Sequence, residues 1–143
     1  VPAGHHVEPI GRARVVRPGR DATVVTYGAG VGWGVAAADA LAAEGGAEVE
    51  VVDLRSLRPW DRDTVLDSVR RTSRALVLHE APLTGGFGAE IAASIGTEAF
   101  AWLDAPVARV AGLDTPIPFA PPLEAVWSAE SRLAPALRDL LAF

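Results

Sequence analysis

Residues 79–90 read HEAPLTGGFGAE, and they constrain this chain more than any other stretch. An apolar run, Ala75 to Leu78, leads into His79 and Glu80. A proline, a threonine and three glycines (Gly85, Gly86, Gly88) follow, and then Ile91, Ala92 and Ile95 fall on one side of a helical pattern. The order is strand, tight Gly-rich turn, helix N-terminus. In open α/β sheets ligands and partners meet the fold at that kind of junction, and the unpaired amides of a helix start favour anions there. The motif marks the functional edge of an α/β domain without fixing a chemistry.

The same alternation runs along the chain. Residues 1–11 read as a lead-in or linker, and 12–143 as one domain. Arg12 to Val16 is a short strand candidate, followed by a turn at Pro18-Gly19. The β-branched run Thr23 to Tyr27 predicts a buried strand. Gly28, Gly30, Gly32 and Gly34 overlap the start of a helix that reaches about Glu44. Ala36, Ala40 and Ala43 are expected on its packed face, with Asp39 towards solvent. Gly45-Gly46 stops that helix, and Val49 to Val52 is the next strand. Asp61 or Asp63 caps a helix to Arg71 with Val65, Leu66 and Val69 inward. Ala75 to Leu78, a helix to about Phe100, and a strand at Val107 to Val110 follow. Residues 112–122 read as a Pro-rich loop, and a last helix covers about 129–141, which Pro135 should kink or start late. Strands alternating with helices predict a mostly parallel sheet with helices on both faces. The first strand, joined to the second by a short turn, should run antiparallel to its neighbours.

Composition narrows the classes. The 143 residues fit one domain with a single core. No run approaches the ~20 apolar residues of a membrane span, so no membrane partner is expected. The net charge of −5 argues against a nucleic-acid partner. Arg12, Arg14, Arg17 and Arg20 form a local basic patch that reads as a solvated edge strand and turn rather than a phosphate site. With no cysteine, the chain has neither disulfides nor thiolate chemistry, which fits a cytoplasmic protein. The chain begins at Val1 with no apolar leader and is expected to be a piece of a longer one.

Few residues could carry chemistry. The glycines of YGAGVGWG are spaced loosely like a dinucleotide fingerprint, with Asp53 where a ribose-binding acid would sit. However, Trp33 stands where the last glycine belongs, and close helix-to-strand packing explains the same glycines. His5 and His6 are adjacent in sequence and point apart when extended, a poor metal pair. His79 beside Glu80 has the makings of a general base with an orienting acid, yet no serine elbow serves it. A structural or interface role for His79 is the plainer reading. Glu80 reads either as an interface carboxylate or as a turn acceptor. Ile117 and Phe119 sit in a loop with four prolines among eleven residues. Such rigidity lowers the entropy cost of presenting a surface, so these two side chains are expected either against another chain or folded back.

Three segments, PIGRARVVRPGRDATVVTYGAGV at 9–31, EVEVVDLRSLRPWDRDTVLDSVRRTSRALVLHEAPLTGGFGAEIAA at 48–93 and LDAPVARVAGLDTPIPFAPPLEAVW at 103–127, carry a resemblance. Together they resemble the C-terminal domain of transketolase-like thiamine-diphosphate enzymes, and more closely that of the β subunit of a 2-oxoacid dehydrogenase decarboxylating component. The resemblance implies a three-layer α/β/α domain with a five-stranded sheet and one antiparallel strand. It implies a parent enzyme that decarboxylates a 2-oxoacid (pyruvate or a branched-chain 2-oxoacid), or cleaves the related ketone acetoin, on thiamine diphosphate and magnesium. That enzyme then passes the acyl group to a lipoyl-bearing acyltransferase component. It also implies that this domain holds no catalytic, cofactor or metal residue, and that the fragment alone is inactive. Its expected partners are an α subunit, the N-terminal part of the β subunit, a second β subunit and the acyltransferase component. His79, Glu80, Gly85, Gly86, Ile117, Phe119 and Phe143 are the interface candidates. The resemblance places the last of these, at the chain's end, near the acyltransferase docking surface. The alternatives are the C-terminal domain of a transketolase or deoxyxylulose-phosphate synthase, or a stand-alone nucleotide- or small-ligand-binding module.

Overall fold

The computed structural model describes residues 3–143; residues 1 and 2 of the expected lead-in lie outside it. The elements are β1 (Arg14–Arg17), β2 (Ala22–Thr26), α1 (Gly30–Ala43), β3 (Val49–Asp53), α2 (Arg62–Thr72), β4 (Ala75–Pro82), α3 (Gly88–Glu98), a 3-10 turn (Phe100–Trp102), β5 (Ala108–Gly112), α4 (Pro121–Trp127) and α5 (Glu130–Ala142). They build one sheet in the order β1-β3-β2-β4-β5. Strands β3, β2, β4 and β5 are parallel, and β1 is antiparallel to β3. This is the expected five-stranded, mostly parallel α/β/α architecture. The expected antiparallel strand is present but does not form a hairpin with β2. The turn after β1 passes over the start of β3, where Arg20 and Asp21 both donate to the Glu48 carbonyl at 2.8 and 3.0 Å. A Cβ on Gly19 would overlap the Val49–Glu50 backbone there, so only glycine lets the turn cross so closely.

Parallel strands covered on both faces need apolar residues on both. In β2 every residue of ATVVT is buried. Alternate residues divide between two cores: Val24 packs with Val51, Leu76, Leu78 and the helices α1 and α5, while Val25 packs with Val52, Val77 and the helices α2 and α3. Each of these buried branched side chains contributes about 1.5–3 kcal/mol. On the α2 side, Thr23 shares short hydrogen bonds with Ser68 and Thr72, both at 2.7 Å. Ser68 in turn donates to buried Glu50 at 2.5 Å, and Arg71 closes the network on Glu50 at 2.6 Å. The polar atoms of this network are therefore paired, as burial demands.

Four local readings change. The packed face of α1 is Gly30, Gly34, Ala38 and Leu41, whereas Ala36, Ala40 and Ala43 are exposed. The helix is small and apolar almost all round, so periodicity left its phase open. Glycine decides it: a Cβ at Gly30 would overlap the Thr26 hydroxyl, and one at Gly34 would sit 3.3 Å from Val51 Cγ1, tighter than ordinary contact. Strand β4 runs four residues past Leu78, which puts His79 inside a strand. The 112–122 loop ends in a seven-residue helix, α4, that starts on Pro121, a position where proline suits a first turn. Helix α5 begins five residues before Pro135, so that proline does not mark its start. Other expectations hold. Asp39 is exposed and pairs with Arg17 at 2.7 Å. Val65, Leu66 and Val69 are buried, and Asp61 caps α2 by accepting from the Thr64 amide at 3.2 Å.

Candidate functional site

The chain leaves β2 for β3 on one side and returns past it to β4 on the other, so the strand order reverses between β2 and β4. A crevice opens at the carboxyl ends of such neighbours. Thr26 pairs with Leu78 in register, and the next residues, Tyr27 and His79, stack ring on ring with centroids 6.1 Å apart and planes 6° from parallel. His79 is 0% exposed, and neither ring nitrogen has a hydrogen-bond partner among the described residues. Burial pushes its pKa below the ordinary imidazole value; the Ala81 backbone opposes this and the Arg109 charge adds to it. The Tyr27 phenol is raised, first by burial and then by the charge of Glu80.

Glycines set this geometry. A Cβ on Gly86 would come 2.7 Å from His79 Cε1, and one on Gly88 would overlap the far side of the same ring. The two residues wrap the imidazole because they lack side chains. Gly85, at φ +75°, provides the left-handed step of the turn. Glu80 points outward and accepts from the Ala29 amide at 3.3 Å, tying β4 to the entry of α1. That bond is the turn-acceptor role expected of it. The turn's outer half is fixed by Asp114, which accepts from the Thr84 amide at 2.8 Å and its hydroxyl at 2.6 Å. These two bonds, the Thr84 hydroxyl first, hold the Asp114 carboxyl below its ordinary range. Arg109 donates to the Leu83 carbonyl at 3.2 Å.

In front of the turn lies a cleft of about 980 Å³. One wall is Leu57 to Trp60 with Arg62, the other Gly85 to Phe87 with Ala89 and Glu90. The two most specific sequence motifs, VDLRSLRPWD and HEAPLTGGFGAE, thus face one another across it. Arg58 has no hydrogen bond or ion pair among the described residues, while Arg62 is paired with Glu98. Nothing in the cleft gathers oxygen ligands for a divalent ion, and no group of three His, Cys, Asp or Glu among the described residues could hold a metal. These residues do not fit a magnesium-bound diphosphate.

The candidate residues fall into three places. His79, Glu80, Gly85 and Gly86 come together at the crevice. Ile117 and Phe119 lie on the loop after β5, at the same end of the sheet; they are 58% and 98% exposed and do not fold back onto this chain. Phe143 is at the opposite end, beside Pro106 and Val107, lining two grooves of about 550 and 300 Å³. Sequence reasoning missed Tyr27, Arg109 and Asp114, and also α4, whose Leu123 and Val126 extend the exposed apolar surface at 60% and 64%. The position of Tyr27, directly after the first parallel strand and next to a glycine, was a usable signal. The nucleotide reading of YGAGVGWG has no support in the contacts: Gly30 packs over Thr26 and Leu78, Gly34 packs on Val51, and Asp53 accepts from the Arg55 amide at 3.0 Å.

The family pattern described as "Transketolase, C-terminal domain" matches residues 11–131. A "Pyruvate dehydrogenase E1 component subunit beta-1, mitochondrial" of Arabidopsis thaliana is 49% identical over 116 residues, 81% of this chain and 32% of that protein. A "3-methyl-2-oxobutanoate dehydrogenase subunit beta" of Mycobacterium tuberculosis is 49% identical over 119 residues, 83% of this chain and 34% of that protein. A solved structure titled "Split gene transketolase, inactive beta4 tetramer" superposes with a TM-score of 0.80 at 29% identity, over 94% of this chain and 44% of that one. The chain spans about a third of the length of the curated relatives it matches.

Proposed function

We propose, from the premise that this chain belongs to the transketolase C-terminal domain family, that it is the assembly and docking domain of a 2-oxoacid dehydrogenase β subunit. The parent enzyme would decarboxylate pyruvate or a branched-chain 2-oxoacid, or cleave the carbonyl–carbinol bond of acetoin with release of acetaldehyde, on thiamine diphosphate and magnesium, then transfer the acyl group to lipoamide. This domain holds neither cofactor in that reading. It packs against the α subunit, the N-terminal part of its own subunit and a second β subunit, and it offers a surface to the lipoyl-bearing acyltransferase. The likeness to the pyruvate and 3-methyl-2-oxobutanoate dehydrogenase β subunits supports this branch.

One observation carries the assembly role. Ile117, Phe119, Leu123 and Val126 are each more than half exposed on a short loop and helix, while both cores behind them are filled. Contiguous apolar side chains outside a finished core mark an interaction surface. The experiment is turnover and calorimetry of the chain with thiamine diphosphate, magnesium and each 2-oxoacid. The expected outcome is neither heat of cofactor binding nor turnover; decarboxylation by this chain alone overturns the reading. The likeness to the split-gene transketolase favours a second reading, the C-terminal domain of a transketolase. A separately encoded α subunit that co-purifies with the complete β subunit decides for the dehydrogenase branch.

A further inference from the structure

We propose that His79 is an acid-sensitive latch on the inner half of the Thr84–Gly88 turn. The turn has two tethers of different chemistry. Its outer end hangs on the Asp114 carboxylate through the amide and hydroxyl of Thr84. Its inner end rests on the imidazole, because Gly86 and Gly88 close over a ring that is fully buried and stacked on Tyr27. A neutral imidazole carries one N–H donor; the protonated ring carries two, plus a charge. Neither nitrogen has an acceptor among the described residues, and an unpaired charge in such a place is strongly disfavoured.

Apart from the Ala81 backbone, which favours the charged form without outweighing burial, the surrounding groups offer no compensation. Just past β2 the ring faces Tyr27, whose phenol is raised and so stays neutral throughout this range. From β5 it meets the positive charge of Arg109. Gly86 and Gly88 bring no ionisable group, and the first one on α3, Glu90, lies on the cleft wall. Glu80, next on the same strand, is exposed and committed to the Ala29 amide. Protonation is therefore accommodated by moving the ring out, and the Gly86–Gly88 backbone with it. The Asp114 tether persists, since that carboxylate stays ionised to lower pH. Because Gly85 to Phe87 form one wall of the 980 Å³ cleft, release of the latch reshapes that cleft.

The test is NMR on the 143-residue chain between pH 7.5 and 5. It follows the His79 ring nitrogens together with the exchange protection of the Ala89, Glu90 and Thr84 amides. Ala89 and Glu90 bond to the Gly86 and Phe87 carbonyls, so their protection should fall at least tenfold, with the midpoint of the His79 titration. Thr84 should stay protected across the same range. In His79→Phe the fall at Ala89 and Glu90 should vanish. An equal fall in His79→Phe overturns the proposal, as does constant protection while His79 titrates, or no change in either until the whole chain unfolds. Should His79→Phe not fold, co-titration in the unaltered chain decides by itself.

Discussion

The Thr84–Gly88 turn and the loop-helix from Asp114 to Trp127 lie side by side at the carboxyl end of the sheet, and they are finished in opposite ways. The turn is closed from within: its glycines wrap His79, and its outer end is bonded to Asp114. The loop-helix has a fixed backbone but unfinished side chains. Trp127 is buried under Gly112 and donates to the Thr115 carbonyl at 3.2 Å, while Phe119 is 98% exposed. Order and burial are thus separable. A segment held by prolines and one buried tryptophan, with its apolar groups outside, is preorganised for a neighbour and so loses less entropy on meeting it.

The comparison breaks most easily at Trp127. Trp127→Ala should cost about 3–4 kcal/mol in urea unfolding and release the loop-helix; a loss below about 1 kcal/mol would mean the tryptophan does not anchor it. Gly88→Ala comes next, at about 2–3 kcal/mol, because the added methyl overlaps the His79 ring and approaches Val77 Cγ1 to 3.2 Å. Near-native stability in that variant would show that the turn is not packed shut.

Asp61→Ala should cost about 1–2 kcal/mol by removing the α2 cap beneath the other cleft wall. Burial raises the Asp61 pKa, but the Ala13 amide at 3.0 Å and the Thr64 amide and hydroxyl outweigh it, and the net shift is downward. Its contribution is therefore complete above the ordinary carboxylate range and lost as pH falls through the lowered value. Acid titration of stability in Asp61→Ala should be correspondingly shallower than in the unaltered chain. The smallest effect is expected at the exposed surface: Phe119→Ser should change the chain's own stability by no more than about 0.5 kcal/mol. A larger loss in thermal unfolding would place Phe119 in a core.

Much of this was legible in the sequence. The alternation of apolar runs with helical periods fixed the layers, and strongly patterned α2 was read to its buried residues. α1 was misphased because alanine and glycine carry little periodic contrast, and the choice of face came from Val51 and Val24 on the sheet. The pairing of β1 with β3 was hidden, since a short turn usually means a hairpin and only the close approach at Gly19 says otherwise. At the site, His79, Glu80, Gly85 and Gly86 sit close together in the sequence and could be singled out from one motif. Their partners Tyr27, Arg109 and Asp114 come from three other segments, and long-range contacts leave no local pattern.

The central claim is that Ile117, Phe119, Leu123 and Val126 belong to an interface rather than to this domain's own stability. Sedimentation velocity on the complete β subunit mixed with its α subunit tests it, comparing the unaltered protein with an Ile117→Ser/Phe119→Ser double variant. The account predicts equal thermal stability of the two β subunits, a full complex for the unaltered one, and at least a tenfold weaker assembly for the variant. Full assembly of the double variant at the same concentrations would contradict it.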